Sequence, residues 1–392
     1  MNRKVPASVL VFALLILVLA ACGGGGAEKL PFGLQSEVVA SGLRAPRALT
    51  FAPDGRLFFA EQFSGVIHVI NADGRLQPEP FAQIQVASYL DLDWGLTGIA
   101  LDPEFTSNHY VYVLYTSPLE SSEQPVGKPT LLRFTDQGGQ GVDKAVISDN
   151  FPETPVTHPG YNGNGNLHFG PDGFLYLSIG DYDEGTLVRD LSTPIGKLLR
   201  VSKEDGSAAP GNPYADDPNA DPRIFAVGFR EPFAFAFQPE TGAIYGTDNT
   251  PVTCEELNVI EAGKNYGWPD VGAFPFSDCD AGDHVKAIHR FAQQGKSPGE
   301  FLSFVEVSGV AFLSSKKYPL LSDGLLVCEL GSGVLRRLVL GGAPEDPVSG
   351  DDVLVKDCKR GVAVSPDGTV YYSNNAEIRR LTSGQIVPQV SS

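Results

Sequence analysis

One phrase returns four times along this chain, and no other feature limits its fold so tightly. "FAPDGRLFFAEQ" begins at Phe51, "FGPDGFLYLSIGD" at Phe169, "FQPETGAIYGTDN" at Phe237 and "VSPDGTVYYSNN" at Val364. Each copy ends one strand, turns tightly and opens an alternating strand. Pro presets φ, Asp caps the turn and Gly takes the positive φ. A further strand follows several copies, in "GVIHVI" from Gly65, "GKLLRV" from Gly196, "GVLRRL" from Gly333 and "AEIRRL" from Ala376. The unit is strand–turn–strand–turn–strand, with no long helical pattern between copies. Such a unit cannot bury both faces alone, and radial packing of copies solves that. The pattern therefore predicts an all-β propeller, with a β-sandwich array as the alternative. The 44 glycines and 30 prolines suit turn-rich β structure. Uneven spacing leaves long loops at 117–129, 207–223 and 274–300, and long loops on a rigid scaffold are where sites are built.

The first residues stand apart from this pattern. Arg3 and Lys4 precede an apolar run, Val9 to Ala20, which is short for a membrane span and sized for a signal peptide. It ends in "LAAC", Leu19 to Cys22, which resembles a bacterial lipobox and implies cleavage before Cys22 and lipidation of its thiol. "GGGGAEK" follows as a flexible tether. The expected organisation is a signal peptide at 1–21, a tether at 22–34, a propeller at 35–385 and a tail at 386–392. The protein is then exported and held to a membrane only through its lipid, facing the periplasm or the cell exterior. The net charge, 29 − 47 = −18, disfavours nucleic acid and anionic membrane surfaces as partners.

Cys22 aside, four of the five cysteines remain. An even number in an exported chain suggests disulfides, and four allow three pairings. Neighbours in a repeat fold are best placed to meet, which favours Cys254–Cys279 and Cys328–Cys358 over the other pairings; buried free thiols are the alternative. No spacing of cysteines and histidines supports zinc.

Several phrases, in order across nearly the whole mature chain, resemble the PQQ-dependent glucose/sorbosone dehydrogenases, the soluble quinoprotein aldose dehydrogenases. They are "SGLRAPRALTFAPDGRLFFAE" (41–61), "DWGLTGIALDPEF" (93–105), "NLHFGPDGFLYLSIGD" (166–181), "IGKLLRVSKEDG" with "GNP" (195–213), "VGFREPFAFAF" (227–237) and "TDNTPVTCEELNVIEAGKNYGWP" (247–269). The last is the most specific. The resemblance implies a six-bladed β-propeller with pyrroloquinoline quinone (PQQ) and Ca²⁺ over one end of the central channel. It implies oxidation of the C1 hydroxyl of an aldose sugar or oligosaccharide to a lactone. A histidine takes the hydroxyl proton, hydride passes to the quinone and Ca²⁺ polarises the quinone oxygen. No haem-attachment motif is present, so electrons leave to an external acceptor.

The resemblance also assigns residues. Arg230, in "GFRE", matches an arginine near the quinone, and a guanidinium suits carboxylates and reduced oxygens. Phe229 and Glu231 depart from the family around it, and Glu231 beside an anionic cofactor requires a partner. Arg360 matches the second of two family arginines; the first falls on Cys358. Asp93 matches an acidic or amide cofactor contact, and Asn249 a polar one. Thr250 and Pro251 fall on backbone carbonyls that hold the cofactor's Ca²⁺. Glu256 and the Tyr266 carbonyl match a second, structural Ca²⁺ site. In the segment from His158 to Leu167, the family's catalytic histidine falls on Asn162. Asn cannot accept a proton at neutral pH. His158, four residues earlier, is the substitute base, and His168 points to the other side of its strand. The glycines of this loop fit close backbone approach to a flat cofactor. Two outcomes follow: a dehydrogenase using His158 or another base, or a lipid-anchored propeller that has lost catalysis and binds carbohydrate or a protein, as hedgehog-interacting relatives bind partners.

Overall fold

The computed structural model describes residues 30–119, 126–154, 160–250, 254–270, 279, 282–292, 305–343 and 346–383. These form six four-stranded antiparallel sheets, the six blades of a β-propeller. Blade 1 runs Pro46–Phe51, Leu57–Glu61, Val66–Ile70 and Ala82–Gln83. Blades 2 to 5 begin with the innermost strands Leu96–Leu101, Asn164–Phe169, Phe235–Phe237 and Val307–Leu313. Blade 6 takes Val362–Val364, Val370–Ser373 and Glu377–Ser383 from the end of the chain and its outermost strand, Leu34–Ser41, from the beginning. Leu34 pairs with Ser383 and Ser41 with Glu377. The ring is thus closed by strand pairing between the two ends of the fold.

The repeated phrase explains each blade. At Phe51 and Phe169 the inner strand ends, and Gly55 and Gly173 adopt φ of +86° and +80°. The Asp54 and Asp172 carboxylates accept the amides of Arg56 and Phe174 at 3.1 and 3.2 Å. The second strand then dives inward. All five residues of Leu57–Glu61 and of Leu175–Ile179 are buried, because these strands have blades on both faces. The outermost strand of blade 6, Leu34–Ser41, is instead buried only at Leu34 and Ala40.

Each of the six seams between blades carries its own apolar cluster. Phe58 and Val69 meet Val111 and Val113 between blades 1 and 2. Tyr112 and Leu131 meet Leu167 and Leu177 between blades 2 and 3. Tyr176 and Leu198 meet Phe235 and Ile244 in the next seam. Leu257 meets Leu325, Leu326 meets Val362, and Ile378 meets Leu57 in the remaining three. No blade owns a complete core, so stability belongs to the ring. His168 follows the expectation from alternation: it packs edge-on against Phe235, ring centroids 4.9 Å apart, away from the channel mouth.

Both favoured disulfides form. Cys254–Cys279 and Cys328–Cys358 have Cα separations of 5.5 and 5.4 Å. The second ties the second strand of blade 5 to the segment entering blade 6. Cys22, the signal peptide and residues 23–29 of the tether lie outside the described residues, whereas Pro31–Gly33 form a 3-10 turn and Leu34 opens the outermost strand of blade 6. Replacing Cys328 and Cys358 together by Ala removes a cross-link across 30 residues. A loss of about 3–4 kcal/mol is expected in urea denaturation, with the far-UV spectrum unchanged.

Candidate active site

Strand direction fixes where the chemistry gathers. The Pro-Asp-Gly turns join inner to second strands at one end of the channel. Segments entering each inner strand and leaving each second strand meet at the other. A cavity of about 430 Å³ lies there, lined among others by Gln62, Asp93, Asn162, Arg230, Glu231, Asn249, Thr250, Glu255, Glu306 and Arg360. Asp93, Asn162, Arg230, Glu231, Glu306 and Arg360 all precede an inner strand; Gln62 and Asn249 immediately follow a second one. Asp93, Asn162, Arg230, Asn249, Thr250 and Arg360 are therefore brought together as expected. Glu256 and Tyr266 do not line this cavity. His158 and Pro251 lie outside the described residues.

Asn162 is buried, at φ +41°. Its Nδ2 donates to Asp181 Oδ1 at 2.7 Å, and its backbone N–H donates to Asp93 Oδ2 at 2.9 Å. Asp181 also accepts from Trp268 Nε1 at 2.7 Å and from the Asp183 amide at 2.8 Å. The loop is locked from three sides. Its glycines answer to protein neighbours. A Cβ on Gly163 would meet Trp94 Cδ1 at 2.6 Å, and one on Gly165 would strike Ser178 Oγ and the Pro232 carbonyl.

Asp93 and Glu231 both line the cavity, and Arg230 Nη1 lies 3.9 Å from Glu231 Oε2. Burial pushes Asp93 up; the Asn162 amide, Arg47 and Arg230 pull it back. Burial, then repulsion from Asp93, pushes Glu231 well above the carboxylate range. Both acids are thus held above the ordinary carboxylate range, and the cation that attends Glu231 is Arg230.

Three arginines balance these acids. Arg230 Nη1 donates to the Asn249 carbonyl at 3.2 Å, and its buried Nε has no partner. Arg360 donates through Nε to Asn375 Oδ1 at 2.8 Å and through Nη1 to Gln62 Oε1 at 3.3 Å. Cys358, where a second family arginine is missing, instead anchors the segment that carries Arg360. Arg47, only 3% exposed, stacks 3.4 Å from the centroid of Phe233, and neither Nη has a partner.

Two candidate residues have duties other than those expected. The Asn249 side chain clamps the Val307 backbone, accepting its N–H at 3.0 Å and donating to its carbonyl at 3.1 Å. The amide expected to touch a cofactor thus ties blade 4 to blade 5. Glu256 Oε1 lies 3.4 Å from Arg290 Nη2, so a cation already attends the carboxylate expected to bind structural Ca²⁺. Tyr266 is buried, with its ring stacked on Phe229 at 4.9 Å. Among the described residues no three His, Cys, Asp or Glu side chains cluster as a metal site.

Sequence reasoning missed Arg47, Asp181, Glu255 and Glu306. A signal existed for Asp181: the repeats end in "EQ", "GD", "DN" and "NN", a polar residue where each second strand opens onto the channel.

The glucose/sorbosone dehydrogenase family model matches residues 43–383. The chain belongs to that family. It is similar to quinoprotein glucose dehydrogenase B of Acinetobacter calcoaceticus, 27% identical over 262 residues, covering 61% of this chain and 53% of that protein. It is also similar to aldose sugar dehydrogenase YliI of Escherichia coli K12, 24% identical over 91% of this chain and 94% of that one. A crystal structure of a glucose dehydrogenase-type oxidoreductase from Thermus thermophilus superposes with a TM-score of 0.73 at 30% identity, covering 89% of this chain and all of the other.

Because Gly165 presses on Ser178 and Pro232, Gly165→Ala should cost about 1–3 kcal/mol in urea denaturation. An unchanged midpoint would mean that the loop is free to move.

Proposed function

We propose that this family member oxidises the C1 hydroxyl of an aldose sugar or oligosaccharide to the lactone, using PQQ and Ca²⁺ and passing electrons to an external acceptor. The observation that carries this reading is Arg230 on the cavity wall, its buried Nε without a partner, with the buried Arg47, neither Nη partnered, stacked on the lining residue Phe233. Unpaired buried donors are costly, and an anion with several carboxylates supplies what they lack. PQQ is such an anion and is flat; Phe233, Leu92 and Leu330 give the cavity apolar walls. Arg230 and Arg360, which line the cavity, would hold it. When bound, the cofactor supplies a two-electron oxidant for an alcohol carbon.

The chain's own part is to orient and to accept a proton. The Thr250 hydroxyl, buried in the cavity wall without a partner, is a donor or acceptor for a sugar or cofactor oxygen. Ca²⁺ would take the Thr250 and Pro251 carbonyls; the structural Ca²⁺ site does not fit, because Arg290 attends Glu256. The two disulfides suit an oxidising compartment, which supports export; the lipid anchor on Cys22 is proposed from the "LAAC" sequence alone.

The test is a titration of the Ca²⁺-loaded protein, truncated after Cys22, with PQQ, followed by absorbance before and after aldoses are added. Tight binding and a sugar-driven change to the reduced form are expected. Arg230→Ala and Arg360→Ala should each weaken PQQ binding about 10- to 100-fold, the value of a charge-assisted hydrogen bond. Absence of binding at micromolar PQQ would leave the second reading, a propeller that binds carbohydrate or protein; Asn162 in place of the histidine is the observation that favours it.

A further inference from the structure

We propose that the Arg290 guanidinium is a built-in replacement for the structural Ca²⁺ that the family resemblance implies, so that blade 4 holds its shape without a divalent ion. The assignment rests on the geometry of blade 4 and not on whether the channel-mouth cavity holds PQQ.

The oxygens are those a hard cation takes, and a side chain of this chain already holds them. Arg290 Nη2 donates to Glu256 Oε1 at 3.4 Å and to the Cys279 carbonyl at 3.1 Å. One nitrogen thus bridges a carboxylate and a backbone carbonyl, the kinds of oxygen that Ca²⁺ sites are built from. The second carboxylate oxygen, Glu256 Oε2, faces another N–H donor, Asn258 Nδ2, at 3.4 Å. Strand register puts the guanidinium there. In blade 4 the third strand, Glu256–Ile260, pairs with the fourth, His289–Arg290, and Glu256 stands opposite Arg290. On its other side Glu256 stands opposite Asp248, whose carboxylate accepts the amides of Arg230 and Glu231. The cation facing Glu256 across the sheet is therefore Arg290. The disulfide to Cys254, just before Glu256 in the chain, brings the Cys279 carbonyl within reach.

Burial makes the replacement matter. The Glu256 side chain is 4% exposed, and removing one member of a buried pair leaves the other charge uncompensated. A free ion stabilises only as its concentration exceeds its Kd, and a chelator removes it. A guanidinium stays charged at every working pH and cannot leave its own chain.

The experiment uses the same soluble protein as the PQQ titration, before cofactor is added. Wild type, Glu256→Gln, Arg290→Lys and Arg290→Ala are unfolded in urea with EDTA or with about 10 mM CaCl₂, enough to fill a site of extracellular affinity. Calorimetric titration counts the bound ions. Any Ca²⁺ held by the Thr250 and Pro251 carbonyls is common to all four proteins and cancels. Wild type and Glu256→Gln should bind Ca²⁺ alike and show the same calcium-dependent shift. Arg290→Ala should unfold at about 0.5–1 M lower urea in EDTA. Ca²⁺ should restore part of that loss and add a further bound equivalent, and Glu256→Gln in the same chain should abolish the rescue. Arg290→Lys, which keeps a charge in place, should gain no calcium response. A wild-type calcium response that Glu256→Gln removes overturns the assignment, because the metal then binds beside Arg290. So does a folded Arg290→Ala that Ca²⁺ does not restore, because Arg290 is then an ordinary ion pair. If Arg290→Ala does not fold, the comparison of wild type with Glu256→Gln decides. None of these outcomes touches the PQQ reading, which stands or falls on its own titration.

Discussion

The ring depends on one pairing. Leu34–Ser41 lies beside Glu377–Ser383 although the two are separated by almost the whole fold in sequence. Each seam cluster draws its apolar residues from two blades, so opening one seam exposes apolar surface on both sides of it. The pairing converts six marginal sheets into one cooperative body. It also seats blade 6 against blade 1, where Ser373 Oγ donates to the Pro46 carbonyl at 2.6 Å. Arg47 and Arg360, one on each side of that seam, come close enough to influence each other's charge only because the ring is closed.

A closed ring creates a second demand at the channel mouth. Segments entering the inner strands carry amides that no neighbouring strand can satisfy, and burial makes that costly. Side chains answer. Asp248 accepts the amides of Arg230 and Glu231, the latter at 2.7 Å. Glu255 accepts those of Val305 and Glu306. Gln62 donates to the carbonyls of Leu92 and Trp94 at 3.2 and 3.1 Å. The mouth is polar first for structural reasons, and the candidate chemistry occupies a framework that the backbone already required.

That order explains what was legible in the sequence. The Pro-Asp-Gly phrase announces blades because a turn is a local event, encoded by adjacent residues. The cavity residues lie on different blades, and only closure brings them together. Arg230, Arg360 and Asp93 could be named through family resemblance, since each sits in a recognisable phrase. Arg47 could not: in "APRALTF" it looks like any strand residue, and its burial under Phe233 is a property of the ring. Asn249 was legible as a site position but not as a clamp, because its partner Val307 is 58 residues away.

The loop at Asn162 shows how framework and chemistry separate. Its glycines are required by Trp94, Ser178 and Pro232, all protein atoms, and its Asn is held by Asp181 and Asp93. The glycine contacts and the backbone N–H bond to Asp93 persist whichever side chain occupies the position, so Asn in place of a histidine leaves the loop's backbone supported and lacks a basic nitrogen. The same constraints aim the loop's backbone at Asp93. A site whose shape is set by closure can therefore lose one titrating group without losing geometry. Proton affinity then depends on how many cations face the remaining carboxyls. Here Arg230 and Arg360 line the cavity with Asp91, Asp93, Glu231, Glu255 and Glu306. Burial raises Asp93, Glu231 and Glu306, and the nearby arginines pull them back. The charge such an acid-lined cavity presents to a ligand is therefore set by those guanidiniums as much as by the acids themselves.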